Sequence, residues 1–576
     1  MTAELKNIGK DGSSDQASMV QDFINKAKAD IPKGYTASFK GICQGGGDPI
    51  CTLFRVSGLI GSQSDRDWGQ VVEVVTPNGK VNKVPVPRQL LESRPNEAIG
   101  ILAKNGLRTY VESRRVIALL KIWNPQRIIK VLDRSGWSQD YKSYAFGDGR
   151  VISSRYIENE TILKDAEERN SRGSLAGWQE GLAAACIGNP YLLFAVSTAF
   201  SGPLLKRCGV APAMFHFHGK SSIGKSTLLR SALSVWTYFE IPPGWRSTKN
   251  GLEPLLNKAN DGLQVFDEFP TELHDGFGDD VYMIANGAGK ARATKTGDQE
   301  KQRSWTVSVL SSGEDGSHEA LEEAFGNVRD GQTVRFIDIH VQCNSEDHGA
   351  FSSLHGSSNG GEFSERLRND IAQNSGHAAE AFIRVIIEKT NEKIQKVFSD
   401  FRKSFLLSLN EKLGDKLYST DPKIGRVLNL FALSAFSGEL ATAAKITGWE
   451  KDQARDACFL IARRWMEDRS KPPAKQAKSA EALKSYLASL TIPTEDIEGK
   501  YVTLVDDMVW MDKNYFYISD SAMRQAYPTE QQRRAAPSRL IDAGYLKVGR
   551  ETDTPKYRII IGKRRRLYRV CRSIMA

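Results

Sequence analysis

The chain has 576 residues, of which 40% are hydrophobic and 26% are charged, and its formal net charge is +10. Because single hydrophobic cores rarely grow past about 250–300 residues, this length predicts several domains. We find no run of about 18 uncharged apolar residues that could span a bilayer, and the polar start MTAELKNIGKDGSSDQ lacks the apolar block of a secretory signal. These features predict a cytoplasmic protein with no membrane partner.

The positive charge is concentrated near the end of the chain. From Leu546 to Ala576 there are ten Lys/Arg and two Asp/Glu, a net of +8 out of +10. A concentrated basic segment favours contact with a phosphate backbone, with a solvated basic tail as the alternative.

Composition and periodicity predict six segments in chain order. They are a disordered N-terminus (1–20), an α+β N-terminal domain (21–155), an α/β core with preceding helices (156–345), a helical lid or bundle (346–467), a linker (468–480) and a winged-helix domain with a basic tail (481–576). In the N-terminal domain, the apolar stretches 68–77 and 81–87 flank Asn78-Gly79-Lys80 and predict a β-hairpin.

A phosphate-binding motif lies in the α/β core. The pattern G-x-x-x-x-G-K-[ST] is met between a predicted strand (213–218) and a predicted helix (227–235). The predicted nucleotide-binding residues are Gly219, Lys220, Ser221, Ser222, Ile223, Gly224, Lys225, Ser226 and Thr227. In such a loop the backbone N–H groups surround phosphates, Lys225 reaches the terminal phosphates and Ser226 binds Mg²⁺. The motif therefore predicts ATP and Mg²⁺ as cofactors.

An apolar strand (262–266) ends in the adjacent carboxylates Asp267 and Glu268. We expect Asp267 to hold Mg²⁺ through water and Glu268 to polarise the attacking water. This pairing is the one needed for hydrolysis rather than for transfer to a substrate.

A short basic segment follows the acidic pair. Lys290, Arg292 and Lys295, followed by Lys301 and Arg303, predict a basic hairpin just before the next strand. Such a hairpin would point into the pore of a ring and contact a nucleic-acid backbone, whereas the alternative is an exposed loop.

The next two predicted strands carry further candidates. Ser311 or Ser312, at the end of an apolar strand, would take the place of the polar sensor that positions the lytic water in an AAA+-type core. Arg335 starts a further strand and could be an arginine finger directed at a neighbour's γ-phosphate. An intrachain salt bridge is the alternative for Arg335, and Arg329 is a second candidate.

The C-terminal segment reads as helix, helix and a two-stranded hairpin (545–561), the order of a winged helix-turn-helix. Arg533, Arg534 and Arg539 lie on its second helix and are candidates for DNA contact. Small winged-helix modules also serve as protein-docking domains.

Six sequence blocks follow one another in the chain: SLAGWQEGLAAACIGNPYLLFAVSTAFSGPLL, FHFHGKSSIGKSTLLRSALSVW, GWRSTKNGLEPLLNKANDGLQVFDEF, VYMIANGAGKARA, SVLSSGE and GQTVRFIDI. Over roughly residues 60 to 466, the chain resembles the family of domain of unknown function 927, which occurs on prophages and other mobile elements. It is similar in turn to the helicase-like proteins of staphylococcal chromosomal cassettes, whose core is related to minichromosome-maintenance helicases. The resemblance implies an α/β fold with a P-loop AAA+ ATPase core. It also implies a homo-hexameric replicative DNA helicase or self-loading replication ATPase that acts on single-stranded or forked DNA, with possible replication proteins as partners. It supports Lys225, Ser226, Asp267, Glu268 and Lys290 in the roles given above.

Two other functions stay open at the level of sequence. In one, ATP controls the assembly of a DNA-binding regulator or defence ATPase that does not unwind DNA. In the other, a protein remodeller uses the basic hairpin on peptide, although aromatic or apolar pore residues would suit that function better.

Overall fold

The computed structural model divides the chain into two compact units, residues 1–462 and 463–576. It describes residues 14–61, 68–156, 160–164, 170–245, 249–270, 273–274, 276–289, 302–318, 320–321, 335–342, 345, 348–413, 422–469, 474–492, 502–548, 556–561 and 563–575. Within these ranges no helix is both long and apolar enough to cross a membrane.

The N-terminal module of the first unit, up to β11, contains both helices and sheets. Its elements are α1 (Ser14–Asp30), β1 (Tyr35–Ser38), β2 (Gly41–Gln44), β3 (Pro49–Cys51), β4 (Phe54–Gly61), β5 (Gly69–Val75), β6 (Val81–Pro87), α2 (Arg88–Ser93), α3 (Pro95–Lys104), α4 (Ser113–Ile122), β7 (Ile128–Leu132), β8 (Gly136–Trp137), β9 (Ser143–Ala145), β10 (Val151–Ser153) and β11 (Thr161–Leu163). The predicted hairpin is present, since β5 and β6 pair antiparallel. Residues 14–20, predicted as disordered, belong to α1.

The central sheet of the first unit is parallel and has the order β13-β14-β12-β15. Its strands and the helices around them are α5 (Leu175–Trp178), a π-helical turn (Gln179–Ala183), α6 (Ala184–Cys186), α7 (Pro190–Ala199), β12 (Met214–His218), α8 (Lys225–Leu233), α9 (Lys249–Lys258), β13 (Leu263–Phe266), α10 (Phe277–Asn286), β14 (Ser308–Gly313) and β15 (Phe336–His340). The strands are almost fully buried, which explains their apolar sequences.

Helices after the sheet cover the P-loop strand. They are α11 (Gly360–Gln373), α12 (Ala378–Ile386), α13 (Asn391–Leu413), α14 (Pro422–Ala443) and α15 (Gln453–Arg469). Phe431 of α14 packs on Phe215 of β12, with ring centroids 4.9 Å apart. The buried guanidinium of Arg207 donates to the carbonyl oxygens of Ile386 and Lys389 at 2.9 and 2.6 Å. These contacts fix the helices against the core.

The N-terminal module holds the loop that precedes the acidic strand β13. The backbone N–H of Trp137 donates to the Asp261 carboxylate at 3.1 Å, and the Tyr144 hydroxyl donates to the Asp261 carbonyl at 2.9 Å. Burial raises the pKa of Asp261. In addition, Arg134 donates to Ser304, which lies just before β14. The module is thus attached to the segments that lead into β13 and β14, the next two strands of the sheet along the chain.

In its described residues, the second unit contains the end of α15, three further α-helices, an antiparallel sheet and a final 3₁₀ turn (Arg572–Met575). Its elements are α16 (Ala474–Ala488), β16 (Val502–Val505), β17 (Val509–Met511), β18 (Tyr515–Ile518), α17 (Asp520–Ala526), α18 (Glu530–Asp542), β19 (Leu546–Lys547), β20 (Lys556–Ile561) and β21 (Lys563–Cys571). Residues 474–480, predicted as part of a linker, are helical.

The pairing of the last strands corrects one prediction. The sequence predicts that the strands around 546 and 556–561 pair with each other, but both β19 and β20 pair with β21. Leu546 lies opposite Val570, and both side chains are buried in the core beneath the helices. Because this core needs an apolar partner for Leu546, β21 lies beside β19, and the outer hairpin is formed by β20 and β21.

Candidate functional site: a P-loop facing an acidic strand

The predicted phosphate loop connects β12 to α8, and two glycines give it its shape. Gly219 and Gly224 have φ angles of 148° and 101°, a region that side chains disfavour. A Cβ at Gly224 would lie 2.7 Å from the ring of Phe351, so this position also lacks the space for a side chain. Helix α8 begins at Lys225, directly after Gly224. The loop therefore leads into a helix N-terminus, the arrangement that binds phosphate.

Lys225 is only 8% exposed and lies inside this loop. Its ammonium donates to the carbonyl oxygens of Gly219 and Lys220 at 2.8 and 2.5 Å. Burial lowers the pKa of Lys225, and the nearby carboxylates of Glu314 and Asp267 oppose this effect. The structure thus holds a cation where phosphate oxygens would bind.

Asp267 receives three hydrogen bonds on one carboxylate oxygen. The donors are the hydroxyl of Ser226 at 3.1 Å, the hydroxyl of Ser312, and the backbone N–H of Glu268 at 3.2 Å. The Ser226 hydroxyl and the Asp267 carboxylate are hard oxygen ligands on adjoining elements, which fits Mg²⁺. Among the described residues no group of three or more His, Cys, Asp or Glu could hold a metal.

Glu268 is exposed and has a φ of 57°, an uncommon value for a residue other than glycine. Its backbone N–H lies 3.4 Å from the Ser312 hydroxyl, and the N–H of Phe269 donates to the Ser312 carbonyl at 2.7 Å. These contacts hold the turn at Glu268 against the end of β14. Backbone strain of this kind often occurs at functional sites.

The structure separates the two candidate sensor residues. Ser312 contacts Asp267, whereas Ser311 is fully buried and bonds to Trp245 and His216. Successive side chains of a strand point to opposite faces, so only one of the two can reach the acidic pair. Ser312 is that residue.

Arg335 lies at the opposite end of the sheet from the P-loop. Strands β12 and β15 are parallel, and the N–H of Met214 at the start of β12 donates to the Arg335 carbonyl at 2.8 Å. The guanidinium stacks over the ring of Tyr282 at 4.7 Å. Arg335 therefore does not face the P-loop of its own chain. Arg329 lies outside the described residues.

The candidate DNA-contact residues fall into two groups. Lys290, Arg292 and Lys295 lie outside the described residues, as does Lys301. The three arginines predicted on the second C-terminal helix do lie on α18: Arg533, Arg534 and Arg539.

Two of these arginines have contacts within their own helix region. Arg533 donates to the carbonyl of Tyr527 at 3.0 Å, and Arg534 pairs with Glu530 at 2.6 Å on the exposed surface. Surface pairs of this type contribute little to stability, so Arg534 can exchange its partner at low cost.

Residues 348–351 pack against the phosphate loop, a contact that the sequence did not predict. The N–H of Ala350 donates to the Ile223 carbonyl at 2.9 Å, and the Phe351 ring lies against Gly224. Gly349 has a φ of 59°, and a Cβ there would lie 2.7 Å from the Ile223 carbonyl. The only local signal is the small Gly349-Ala350 pair before an aromatic residue, which is too common to identify a P-loop contact.

Arg230, on α8, was also missed. Burial lowers the pKa of Arg230, the positive charge of Arg368 on α11 lowers it further, and Asp267 raises it. Arg230 therefore adds a positive charge within electrostatic range of Asp267.

His216, on the P-loop strand, predicts a pH dependence of folding. Its complete burial lowers its pKa from 6.5 to about 4; His218 and Lys225 also lower it, while Asp338 and the bond to the Asp315 carbonyl raise it. Between these two pH values the unfolded chain binds a proton that folded His216 does not. We therefore expect the free energy of unfolding to fall by roughly 3 kcal/mol as the pH drops from 6.5 to 4, with no contribution above 6.5.

Urea unfolding at pH 7 and pH 4.5, for the wild type and His216→Gln, measures this contribution. The variant should be less stable at pH 7 but should lose less stability on acidification. An equal loss in both proteins would contradict the assignment.

These elements define a class of fold. A P-loop follows β12, an acidic pair follows β13, and β14, which ends in polar residues, lies between β12 and β13 in the sheet. Residues 41–305 match the model of the family described as domain of unknown function DUF927, which confirms the resemblance to that family. The match starts before residue 60 and ends well before residue 466, so it is shifted and shorter than the expected extent. The last two blocks, SVLSSGE and GQTVRFIDI, lie outside it.

A solved structure described as "SCCmec type IV Cch - active helicase" is similar to this chain over 94% of its length and 99% of the other chain, with 19% identity and a TM-score of 0.62. At this identity the likeness shows that the two chains share a fold. The apo C-terminal region of NrS-1 matches over 69% of this chain and 88% of its own, with 11% identity and a TM-score of 0.24, too low to support an argument. No curated protein matches the chain.

Proposed function

We propose that the protein is an ATP-dependent DNA helicase or translocase of a prophage or another mobile genetic element, acting as a homo-hexamer. The observation that carries the proposal is the 3.1 Å contact between the Ser226 hydroxyl of the P-loop helix and the Asp267 carboxylate of the acidic strand. It brings the two halves of a nucleotide-hydrolysis site together from distant parts of the chain.

Each residue of this site has a role in the proposed reaction. Lys225 binds the β- and γ-phosphate oxygens, and Ser226 and Asp267 would hold Mg²⁺, which would neutralise phosphate charge. Glu268 accepts a proton from the attacking water, and Ser312 fixes Asp267 through its hydroxyl. Mg²⁺ and ATP are thus the proposed cofactors.

Charge and fold support DNA as the partner. The segment from Leu546 to the end has a net charge of +8, and β20 and β21 lie within it. The similar structure is described as an active helicase, and its fold extends over 94% of this chain. We further propose that Lys290, Arg292 and Lys295 contact the DNA backbone, together with the arginines of α18 in a winged-helix domain.

The position of Arg335 supports a ring. Because Arg335 lies at the end of the sheet opposite to the P-loop, it is suited to contact the nucleotide of a neighbouring chain. A closed ring gives every chain such a neighbour.

Hydrolysis and unwinding with and without DNA test the proposal. We expect single-stranded or forked DNA to increase the rate of ATP hydrolysis at least about tenfold, and the wild type to separate a forked duplex. The Lys225→Ala variant should show neither DNA-stimulated hydrolysis nor strand separation. The Lys290→Ala variant should bind ATP normally but unwind the duplex poorly.

Hydrolysis that does not respond to DNA would overturn the helicase proposal. Tight binding to one DNA sequence with slow hydrolysis and no strand separation would indicate the ATP-switched regulator or defence ATPase instead. Normal unwinding by Lys290→Ala would remove the hairpin from the DNA contact.

A further inference from the structure

Three buried side chains behind the acidic pair form one chain of hydrogen bonds. The indole N–H of Trp245 lies 2.8 Å from the Ser311 hydroxyl oxygen, which lies 3.0 Å from His216 Nδ1. The second ring nitrogen of His216, Nε2, lies 3.0 Å from the carbonyl oxygen of Asp315. Ser311 and His216 are fully buried and Trp245 is 5% exposed, so water does not compete for these bonds.

The chemistry of the groups fixes the direction of every bond. A carbonyl oxygen only accepts, so Nε2 of His216 carries the proton that it donates to Asp315. Nδ1 of this neutral ring then accepts the proton of the Ser311 hydroxyl. The same hydroxyl oxygen accepts the indole proton of Trp245, since an indole only donates. Each hydrogen bond therefore depends on the next.

Trp245 also pairs with Asp267 through its backbone. The N–H of Asp267 donates to the Pro243 carbonyl at 2.9 Å, and the N–H of Trp245 lies 3.3 Å from the Asp267 carbonyl. Residues 243–245 thus lie against the end of β13 like a short additional strand, and Gly244 forms a parallel bridge with Asp267. The ring of Trp245 packs on Phe266 with a centroid distance of 4.7 Å.

These contacts link Asp267 to β14 in two ways. On one side, the Asp267 backbone is paired with Trp245, whose indole binds Ser311. On the other side, the Asp267 carboxylate is bound by Ser312, the residue after Ser311 on the same strand. Consequently, a rotation of β14 that moved Ser312 would also strain the bond between Ser311 and Trp245.

We infer that Trp245 and Ser311 are positioning residues, held by His216, which fix the relative placement of Asp267, Glu268 and Ser312 for hydrolysis. The inference rests on the proposed ATP hydrolysis, to which it adds buried residues that act through their contacts with the protein. Misplacement of catalytic groups by about 1 Å can cost about 10²-fold in rate. Loss of one N–H donor should have a smaller effect, about tenfold on kcat.

The test is Trp245→Phe, which keeps an aromatic ring and removes the N–H, alongside Ser311→Ala and Ser311→Thr. Trp305→Phe is the matched control. Trp305 is a buried tryptophan of the same apolar cluster, and its indole donates at 3.0 Å to the Ile284 carbonyl, away from Asp267. The measurements are kcat and KM for ATP, nucleotide affinity, and thermal unfolding.

We expect Trp245→Phe and Ser311→Ala to lower kcat about tenfold with KM and nucleotide affinity within about twofold of the wild type. Ser311→Thr, which keeps a hydroxyl, should recover most of kcat. Trp305→Phe should lose similar thermal stability while keeping kcat within about twofold.

Two results would overturn the inference and are distinct from failure of the proposed function. One is an unchanged kcat in both Trp245→Phe and Ser311→Ala, and the other is an equal loss of kcat in Trp305→Phe, which would indicate a general effect of stability. A wild type that binds but does not hydrolyse ATP would instead refute the proposed reaction itself.

Discussion

Lys225→Ala is expected to abolish ATP hydrolysis, with a loss of at least about 100-fold in rate and a large loss of nucleotide affinity. The ammonium of Lys225 is buried within the loop and bonded to two of its carbonyl oxygens. Alanine would remove the charge that binds the phosphates and would leave the Gly219 and Lys220 carbonyls without this donor. A loss of 100-fold corresponds to about 2.7 kcal/mol of transition-state stabilisation, a usual value for one such charged contact.

Lys104→Ala is the control for this variant, since Lys104 lies on the exposed surface of α3 and carries the same charge. Its hydrolysis rate and nucleotide affinity should equal those of the wild type. ATP affinity and turnover in Lys225→Ala close to the wild-type values would refute the role of the P-loop.

Glu268→Gln is expected to give the second largest effect, with a different signature. Glutamine keeps the size and the hydrogen-bonding oxygen of the side chain but cannot accept the proton of the attacking water. We therefore expect kcat to fall about 10²- to 10⁴-fold while nucleotide affinity is kept, so that the variant holds ATP without cleaving it.

Single-turnover hydrolysis and equilibrium binding of a labelled nucleotide distinguish these two effects. Glu411→Gln, an exposed position on α13, provides the matched change of charge far from the site. If Glu268→Gln retained more than about a tenth of wild-type kcat, another group would have to act as the base.

The sequence predicts those parts of the site whose geometry is local. The loop from Gly219 to Ser226 is defined by adjacent residues, because two glycines and a helix N-terminus are enough to form it. The position of Asp267 and Glu268 can also be predicted, because the two residues come directly after an apolar strand. Their placement beside Ser226 follows once the strands are parallel, since carboxyl ends of parallel strands lie at one edge of the sheet.

Contacts between distant segments could not be predicted in the same way. Whether Ser311 or Ser312 faces Asp267 depends on how β14 is paired between β12 and β13, which are distant segments of the chain. The contact of Phe351 with Gly224 joins segments that have no pattern in common. Similarly, the partner of β19 is decided by which strand buries a side chain beside Leu546, and not by proximity in the chain.

The attachment of Asp261 to Trp137 and Tyr144 has a consequence for how such chains can evolve. A recombination event that exchanged the N-terminal module for another domain would leave the buried carboxylate of Asp261 without the Trp137 N–H, at the base of the acidic strand. The two parts should therefore be inherited together as one segment. The single family match from residue 41 to residue 305, which includes both, agrees with this expectation.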